Sequence, residues 1–411
     1  MNKNNKFSNC PICNSDEKKV LINLDCGNFD GSYLYETVKI ISCEKCGHIY
    51  NDITEEEYSG LLNYYNEEYA PINISFGNEH GDRPGSCNSN TLVRYSQLAE
   101  QVEKFIDGKS KVLDVGCAGG GFLSYLQERG YCNLFGIDTT ENYILEAGKN
   151  NNNLILKLGS AEDIPFENNF FDIIVIDQVL EHLVNPGKFF QEAARVLKKG
   201  GLIFIGLPDA GQYNEYYIFD FYWFLLREHL QHFDLHHLNK IAGNYGFELL
   251  EHSFNESPMM SNNMVLPNLN AVFKFTGNSK KLISDKNLPD LTPKIKNYII
   301  QNKLTFETKL KYTEHLAKSG RPVYIWGISR EFLYLYQNTN LKNCNIIVLL
   351  DTNLYKQSKC TFKGIKINDP SLIKNVLDEN TVLIVTAFGH KNKIKQAAIN
   401  LGFNGDMIIN M

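Results

Sequence analysis

Residues 227–234 read REHLQHFD and follow a run of aromatics, DFYWF, so that Glu228, His229 and His232 crowd one short segment. A neutral imidazole near pH 7 can take a proton from a hydroxyl or from an activated carbon. A carboxylate beside it can orient the ring or take the proton itself. The segment therefore has the composition of a proton-abstracting site. Asp234 is the expected N-cap of a helix over LHHLNKIAGNYGF, which leaves His236 and His237 as surface or packing residues.

Two further groups carry chemistry. Cys10-Pro-Ile-Cys13 and Cys43-Glu-Lys-Cys46 are C-x2-C turns separated by 29 residues. Each turn sets two thiolates at tetrahedral spacing, and the pair completes a closed four-thiolate shell with no open position, the pattern of structural zinc. Pro11 inside one turn and Gly47 after the other suit such knuckles. Cys26 is a spare thiol, and His48 is read as a neighbour of the shell. The second group is VLDVGCAGGGFLSYL: a β-branched strand ends at Asp114, a glycine-rich bend follows, and a helix begins at Phe122. Such a bend lets a ligand approach the backbone and the free amides of a helix N-terminus. The next strand, LFGID, ends in Asp138, 22 residues beyond Gly116, where a carboxylate can accept both hydroxyls of a ribose.

The elements that must position these groups follow from periodicity. KVLDVG, LFGID, NLILKLG, FDIIVID, GLIFIGLP and FELLEHSF read as strands. The segments between them, such as FLSYLQERG and KFFQEAARVLKKGG, have helical spacing and end in glycine, which is the pace of βαβ units. REHLQHFD comes after the fifth strand, at the carboxyl ends where open α/β sheets bind ligands. The expected organisation is a four-cysteine zinc-binding domain over 1–60, a tyrosine-rich and helical substrate-binding segment over 61–108, and an α/β core over 109–256. A connecting segment with one long helix over 257–315 leads to a second α/β domain over 316–411.

The chain has 411 residues, 43% hydrophobic content and a net charge of -6, with no basic run. It is expected to be globular, with neither nucleic acid nor a membrane as partner. No apolar window reaches a membrane span, MNKNNKF lacks an apolar region behind it, and ten cysteines are too sparse for a disulfide scaffold, so a cytoplasmic location is expected.

Together with GSAEDIPF after the third strand and FDIIVIDQVLEHL at the fourth, the bend and Asp138 resemble the class I S-adenosylmethionine (SAM)-dependent methyltransferases. The dinucleotide fingerprint G-x-G-x-x-G does not fall in register. The resemblance implies a Rossmann-like methyltransferase core with SAM as cofactor. Asp114, Gly116, Ala118 and Gly120 would line the methionyl and ribose part and Asp138 the ribose. Ala161 with Glu162 or Asp163 would meet the adenine, and Gln178 would sit beside the sulfonium.

The order of parts over nearly the whole chain resembles the nucleotide-sugar C-methyltransferases of deoxysugar pathways. That likeness implies a small-molecule acceptor, a keto sugar carried on a nucleotide, with Glu228 and His229 as the base pair and Tyr69 as the N-terminal tyrosine. It implies His80 and His232 near the acceptor, and a Rossmann-like C-terminal domain holding the nucleotide through Ser329, Arg330, Lys356 and His390. Two departures stand out: Leu226 replaces the family's tyrosine three residues before the histidine, and QVLEHLVNP follows the fourth strand as in general small-molecule methyltransferases. O-methylation of a sugar or another metabolite therefore stays open, as does a non-catalytic assembly module. The oligomeric state is open too.

Overall fold

The computed structural model describes residues 9–73, 89–150, 153–215, 220–259, 264–278, 287–374 and 380–411. His80 lies outside them.

Apolar runs long enough to be buried on both faces become the centre of the main sheet. Its strands are β4 (Val112–Val115), β5 (Leu134–Asp138), β6 (Ile155–Leu158), β7 (Phe171–Asp177), β8 (Leu197–Pro208), β10 (Phe247–Met259) and β11 (Met264–Phe275). All four residues of β4 are buried, as continuous apolar strands in parallel sheets are. The order is β10-β11-β8-β7-β4-β5-β6, with β4 to β8 parallel and β11 antiparallel to both of its neighbours. Because the chain winds outward in opposite directions from β4 and β7, a crevice opens between their carboxyl ends. The helix Pro186–Val196 and the helix Leu235–Asn244 bring Phe189, Phe190, Leu238 and Ile241 into the same core as Phe171 and Phe273.

β11 was expected to be part of a connecting segment. It instead lies between β8 and β10, so the core sheet runs to Phe275. Pro267, Asn268 and Asn270 interrupt its apolar run, and Asn268 and Asn270 are buried where they face neighbouring strands rather than solvent.

A second, antiparallel sheet joins β1 (Lys18–Asp25), β2 (Thr37–Cys43) and β3 (Ile49–Asp52) to β9 (Gln231–His232). β9 belongs to the segment after β8, and its pairing of Ile49 with His232 and Tyr50 with Gln231 fastens that segment to the N-terminal unit. The C-terminal sheet has the order β14-β15-β13-β12-β16-β17, built from β12 (Pro322–Trp326), β13 (Asn345–Leu350), β14 (Thr361–Phe362), β15 (Ile365–Asn368), β16 (Val382–Val385) and β17 (Ile408–Asn410). Between these sheets the helix Thr292–Ser319 buries Tyr298 and Phe306 against Phe221 to Leu225, so the aromatic run before REHLQHFD is core. Phe221 and Tyr222 both have positive φ, and the amides that follow are caught by side chains of that helix: Tyr222 N donates to Asn302 Oδ1 (2.9 Å) and Phe224 N to Tyr298 Oη (3.0 Å). Among the described residues no helix is long and apolar enough to cross a membrane.

Candidate active site and four-cysteine cluster

The bend after β4 is held open from below. Gly116 has φ +79°, its amide and that of Cys117 donate to Ile137 O, and a Cβ on Gly116 would lie 2.4 Å from Val179 Cγ2. Ala118 also takes a positive φ (45°), and its amide donates to Asp138 Oδ2 at 2.9 Å. Asp138 Oδ1 accepts from Thr140 N at 2.8 Å, so one carboxylate fixes the end of β5 and the bend of β4 together. Gly120 (φ +72°) is the N-cap of the helix Gly121–Glu128. The acidic turn lies beside them: Asp163 bridges Ser160, Glu162 N donates to Ser160 Oγ (3.2 Å), and Ala161 is buried. Gln178, also at positive φ, donates through Nε2 to Asn268 Oδ1 (2.9 Å), which holds its amide against β11.

The crevice is rich in carboxylates. Burial, reinforced by Asp177 and Asp138, pushes the pKa of Asp114 up to about 8. Burial, with Asp177 adding, does the same to Glu181. Arg94, from the helix Ser89–Val102, offsets them by placing its guanidinium on Asp177 Oδ2, with Nε at 3.0 Å. A cationic ligand relieves such a site. The sulfonium and ammonium of SAM carry the charge that suits it.

A pH dependence follows. A carboxyl raised to about 8 is mostly protonated at pH 7, and a bound cation favours its ionised form. SAM binding at pH 7 is therefore expected to release protons, and affinity to rise with pH toward 8. Calorimetry in two buffers of different ionisation enthalpy measures this, and Asp114→Asn should diminish the release. In the ligand-free chain the sign is opposite for stability: Asp114's contribution declines as pH rises from its unfolded value near 4 to about 8.

A second group of side chains lies beside this crevice. His182 and His229 meet edge to face, with ring centroids 5.0 Å apart and an interplanar angle of 83°. His182 Nδ1 lies 2.8 Å from Glu228 O and 2.9 Å from Tyr65 Oη. A carbonyl only accepts, so we assign the proton to Nδ1 and leave Nε2 bare. Nε2 is 4.0 Å from Glu181 Oε1. Glu181 is 2% exposed, and neither of its carboxylate oxygens has a hydrogen-bond partner in another residue; His229 Nδ1 is likewise unpartnered. Burial lowers the pKa of His182 and holds that of His229 well below the ordinary value, the latter helped by the neighbouring imidazoles, so both rings are neutral at pH 7. Tyr69 closes a π-helical turn, Tyr64–Tyr69, and packs on Tyr65 with centroids 5.3 Å apart. Burial, then the Glu228 carboxylate, push its phenol up to about 12, which keeps it a proton donor.

These features meet at the carboxyl ends of the central strands of the main sheet, and residues 91–252 match the family described as a methyltransferase domain. The core is a class I SAM-dependent methyltransferase domain. Three relatives match it in part. An uncharacterised protein of Methanocaldococcus jannaschii is 33% identical over 122 residues, which are 30% of this chain and 55% of that protein. A phthiotriol/phenolphthiotriol dimycocerosates methyltransferase of Mycobacterium ulcerans is 30% identical over 160 residues, 38% of this chain and 56% of the other. A ubiquinone biosynthesis O-methyltransferase of Bartonella tribocorum is 33% identical over 99 residues, 23% and 40% respectively. The chain thus spans about half the length, or less, of the curated relatives it matches.

Outside the methyltransferase domain, the C-terminal residues divide. Arg330 stacks over Trp223, 3.9 Å from the ring centroid, and its Nε and Nη2 have no hydrogen-bond partner; the nearest carboxylate, of Glu331, is 3.9 Å away. It opens with Arg227, Glu228 and Tyr334 onto one pocket. Ser329 Oγ bonds Glu331 instead. Lys356, expected at the substrate, is buried and points its ammonium at Asp351 Oδ2 (3.1 Å), so its charge is matched within its own domain. His232 also turns away from the crevice: it is fully buried in β9 with Nε2 3.3 Å from Asn51 Oδ1.

The four cysteines converge. Cys10 Sγ lies 3.6 Å from Cys46 Sγ and Cys13 Sγ 3.5 Å from Cys43 Sγ, with all four sulfurs within 4.8 Å of one another. A tetrahedral ion with bonds of about 2.3 Å to sulfur wants its ligands roughly 3.8 Å apart, so the donor set fits zinc. His237 ties this cluster to the methyltransferase domain, with Nε2 2.9 Å from Cys46 O and Nδ1 2.6 Å from Asp234 Oδ1. Glu181, His182, Tyr65 and Arg94 join the site without a motif of their own. The VLEH run after β7 carries two of them and is the one local signal for them.

Proposed function

We propose that the chain transfers the methyl group of SAM to an anionic small molecule, a nucleotide-linked keto sugar, after the Glu228–His229 pair has removed a proton beside the acceptor's ketone. The observation that carries this reading is the Arg330 guanidinium, with two nitrogens lacking a partner, opening on the same pocket as Glu228. A half-buried guanidinium with two shielded nitrogens and no carboxylate at hydrogen-bond distance fits a phosphate of the acceptor. The position of Glu228 and His229, next to the neutral imidazole of His182 and a protonated tyrosine, fits proton abstraction. The carbon-bound proton passes to the base, and its electron pair forms the enolate. The enolate carbon bonds to the methyl carbon as the carbon–sulfur bond breaks, its pair staying on sulfur to give S-adenosylhomocysteine. The same proposal gives the four-cysteine cluster a structural zinc ion.

NMR and mass spectrometry of the product from a panel of nucleotide sugars test the reading, with exchange of the carbon-bound proton in deuterated water expected. A methyl ether product without exchange would overturn it in favour of O-methylation, the reading that the likeness to a ubiquinone biosynthesis O-methyltransferase supports. Replacing Arg330 by Met should raise KM for the acceptor by about 10- to 100-fold, the ~1.5–3 kcal/mol of hydrogen bonds to a charged group, with little change in SAM affinity.

A further inference from the structure

The geometry points to a divalent-cation site formed by Glu181, His182 and His229, separate from the four-cysteine cluster and placed to hold an oxygen of the acceptor beside the methyl donor. The inference rests on the methyltransferase reading above. One ligand atom from each residue lies within 4.8 Å of the others. A cation with bonds of about 2.1 Å sets tetrahedral ligands roughly 3.4 Å apart, so closing the shell draws the side chains together by up to roughly 1.4 Å.

Three observations favour a cation over three residues that merely pack. The Glu181 carboxylate is buried to 2% exposure with no partner in another residue, a costly state that a cation removes. His182 is presented as metal-binding histidines usually are: Nδ1 donates to the Glu228 carbonyl beside Tyr65 Oη, which aims a bare Nε2 at Glu181. Charge agrees as well. The carboxyl groups of Asp114, Asp138, Asp177 and Glu181 line the same crevice as the Arg94 guanidinium, so a cation is the ligand class that this lining calls for.

One carboxylate and two imidazoles suit Mn²⁺, Fe²⁺, Co²⁺ or Zn²⁺, and leave coordination positions for a ketone or enolate oxygen. A cation there stabilises the negative charge that forms on that oxygen when the neighbouring carbon loses its proton. An imidazole bound to the ion is no longer free to be the base, so in the loaded enzyme the proton goes to Glu228.

The test uses the full chain with its cysteine cluster loaded with zinc and S-adenosylhomocysteine present. Titration with Mn²⁺, followed by loss of the free-ion EPR signal, is expected to show one bound ion. Glu181→Gln and His182→Asn are each expected to weaken it at least ~10-fold, with zinc content unchanged. Spin-echo modulation of the wild-type Mn²⁺ complex should show histidine nitrogen coupling, a readout that does not depend on any variant folding. Absence of Mn²⁺ binding, absence of nitrogen coupling, or equal binding by a Glu181→Gln chain that still takes S-adenosylhomocysteine would overturn the site. Failure of the wild type to bind S-adenosylhomocysteine would instead remove the methyltransferase reading itself.

Discussion

Replacing His229 by Asn is expected to lower kcat by ~10²–10⁴ while the dissociation constant for SAM changes by less than about threefold. The separation follows from where the groups sit. The bend at Gly116 to Gly120 and the Asp138 carboxylate come from β4 and β5, and they are held by hydrogen bonds to one another, to Ile137 O and to Thr140 N. His229 lies across the crevice, edge-on to His182, with its Nδ1 unpartnered. An amide of similar shape keeps a polar group there but neither accepts a proton at neutral pH nor binds a cation well, so both roles argued for the ring are lost together. Comparison with Glu228→Gln separates them. If Glu228 takes the proton, its loss should be at least as severe as that of His229, whereas if His229 takes it, Glu228→Gln should be the milder change. Single-turnover rates together with SAM titrations give both numbers, and a His229→Asn chain with nearly normal single-turnover rate would exclude the ring from the chemistry.

What could be read along the chain was what is encoded locally. The glycine bend, the acidic end of the next strand and both cysteine turns are each set by fewer than ten consecutive residues, and their backbone requirements leave a mark in residue type. Gly116 has no room for a Cβ, and Gly47 at φ +74° would drive one to 2.5 Å from Asp290 Cα. The parallel core strands could also be anticipated, because apolar runs alternate with amphipathic helices there, whereas the placement of β11 between β8 and β10 could not. What could not be read depends on distant partners. Glu181 and His182 sit in an ordinary-looking turn, and His182 becomes part of a site only through Tyr65, 117 residues earlier, and the Glu228 carbonyl, 46 residues later. β9 is two residues long, too short for any periodicity, and exists because β3 has an unpaired edge beside it. Lys356 has the composition of a surface cation, yet Asp351, five residues earlier at the end of β13, draws it inward.

That long-range fastening sets the second large effect. Removing the metal proposed for Cys10, Cys13, Cys43 and Cys46, or replacing Cys46 by Ser, is expected to lower Tm by ~10 °C and kcat by ~10² or more, with a smaller loss of SAM affinity. The path runs through named contacts. Cys46 O lies on His237, whose Nδ1 is held by Asp234, and Asp234 also caps the helix Leu235–Asn244 by accepting from His237 N at 2.9 Å. His48, two residues beyond Cys46, sets Nε2 3.0 Å from Gln231 Oε1, and Gln231 Nε2 donates to Leu183 O at 3.2 Å, next to His182. The knuckle thus supports both loops that carry the imidazoles, whereas the cofactor crevice is built from the core strands themselves. Hydrogen exchange across residues 227–234 reads the coupling directly: their amides should exchange faster after chelation, while those of β4 and β5 stay protected. Exchange that rises only in the first 60 residues would mean that the cysteine cluster stabilises its own unit and leaves the imidazoles where they are.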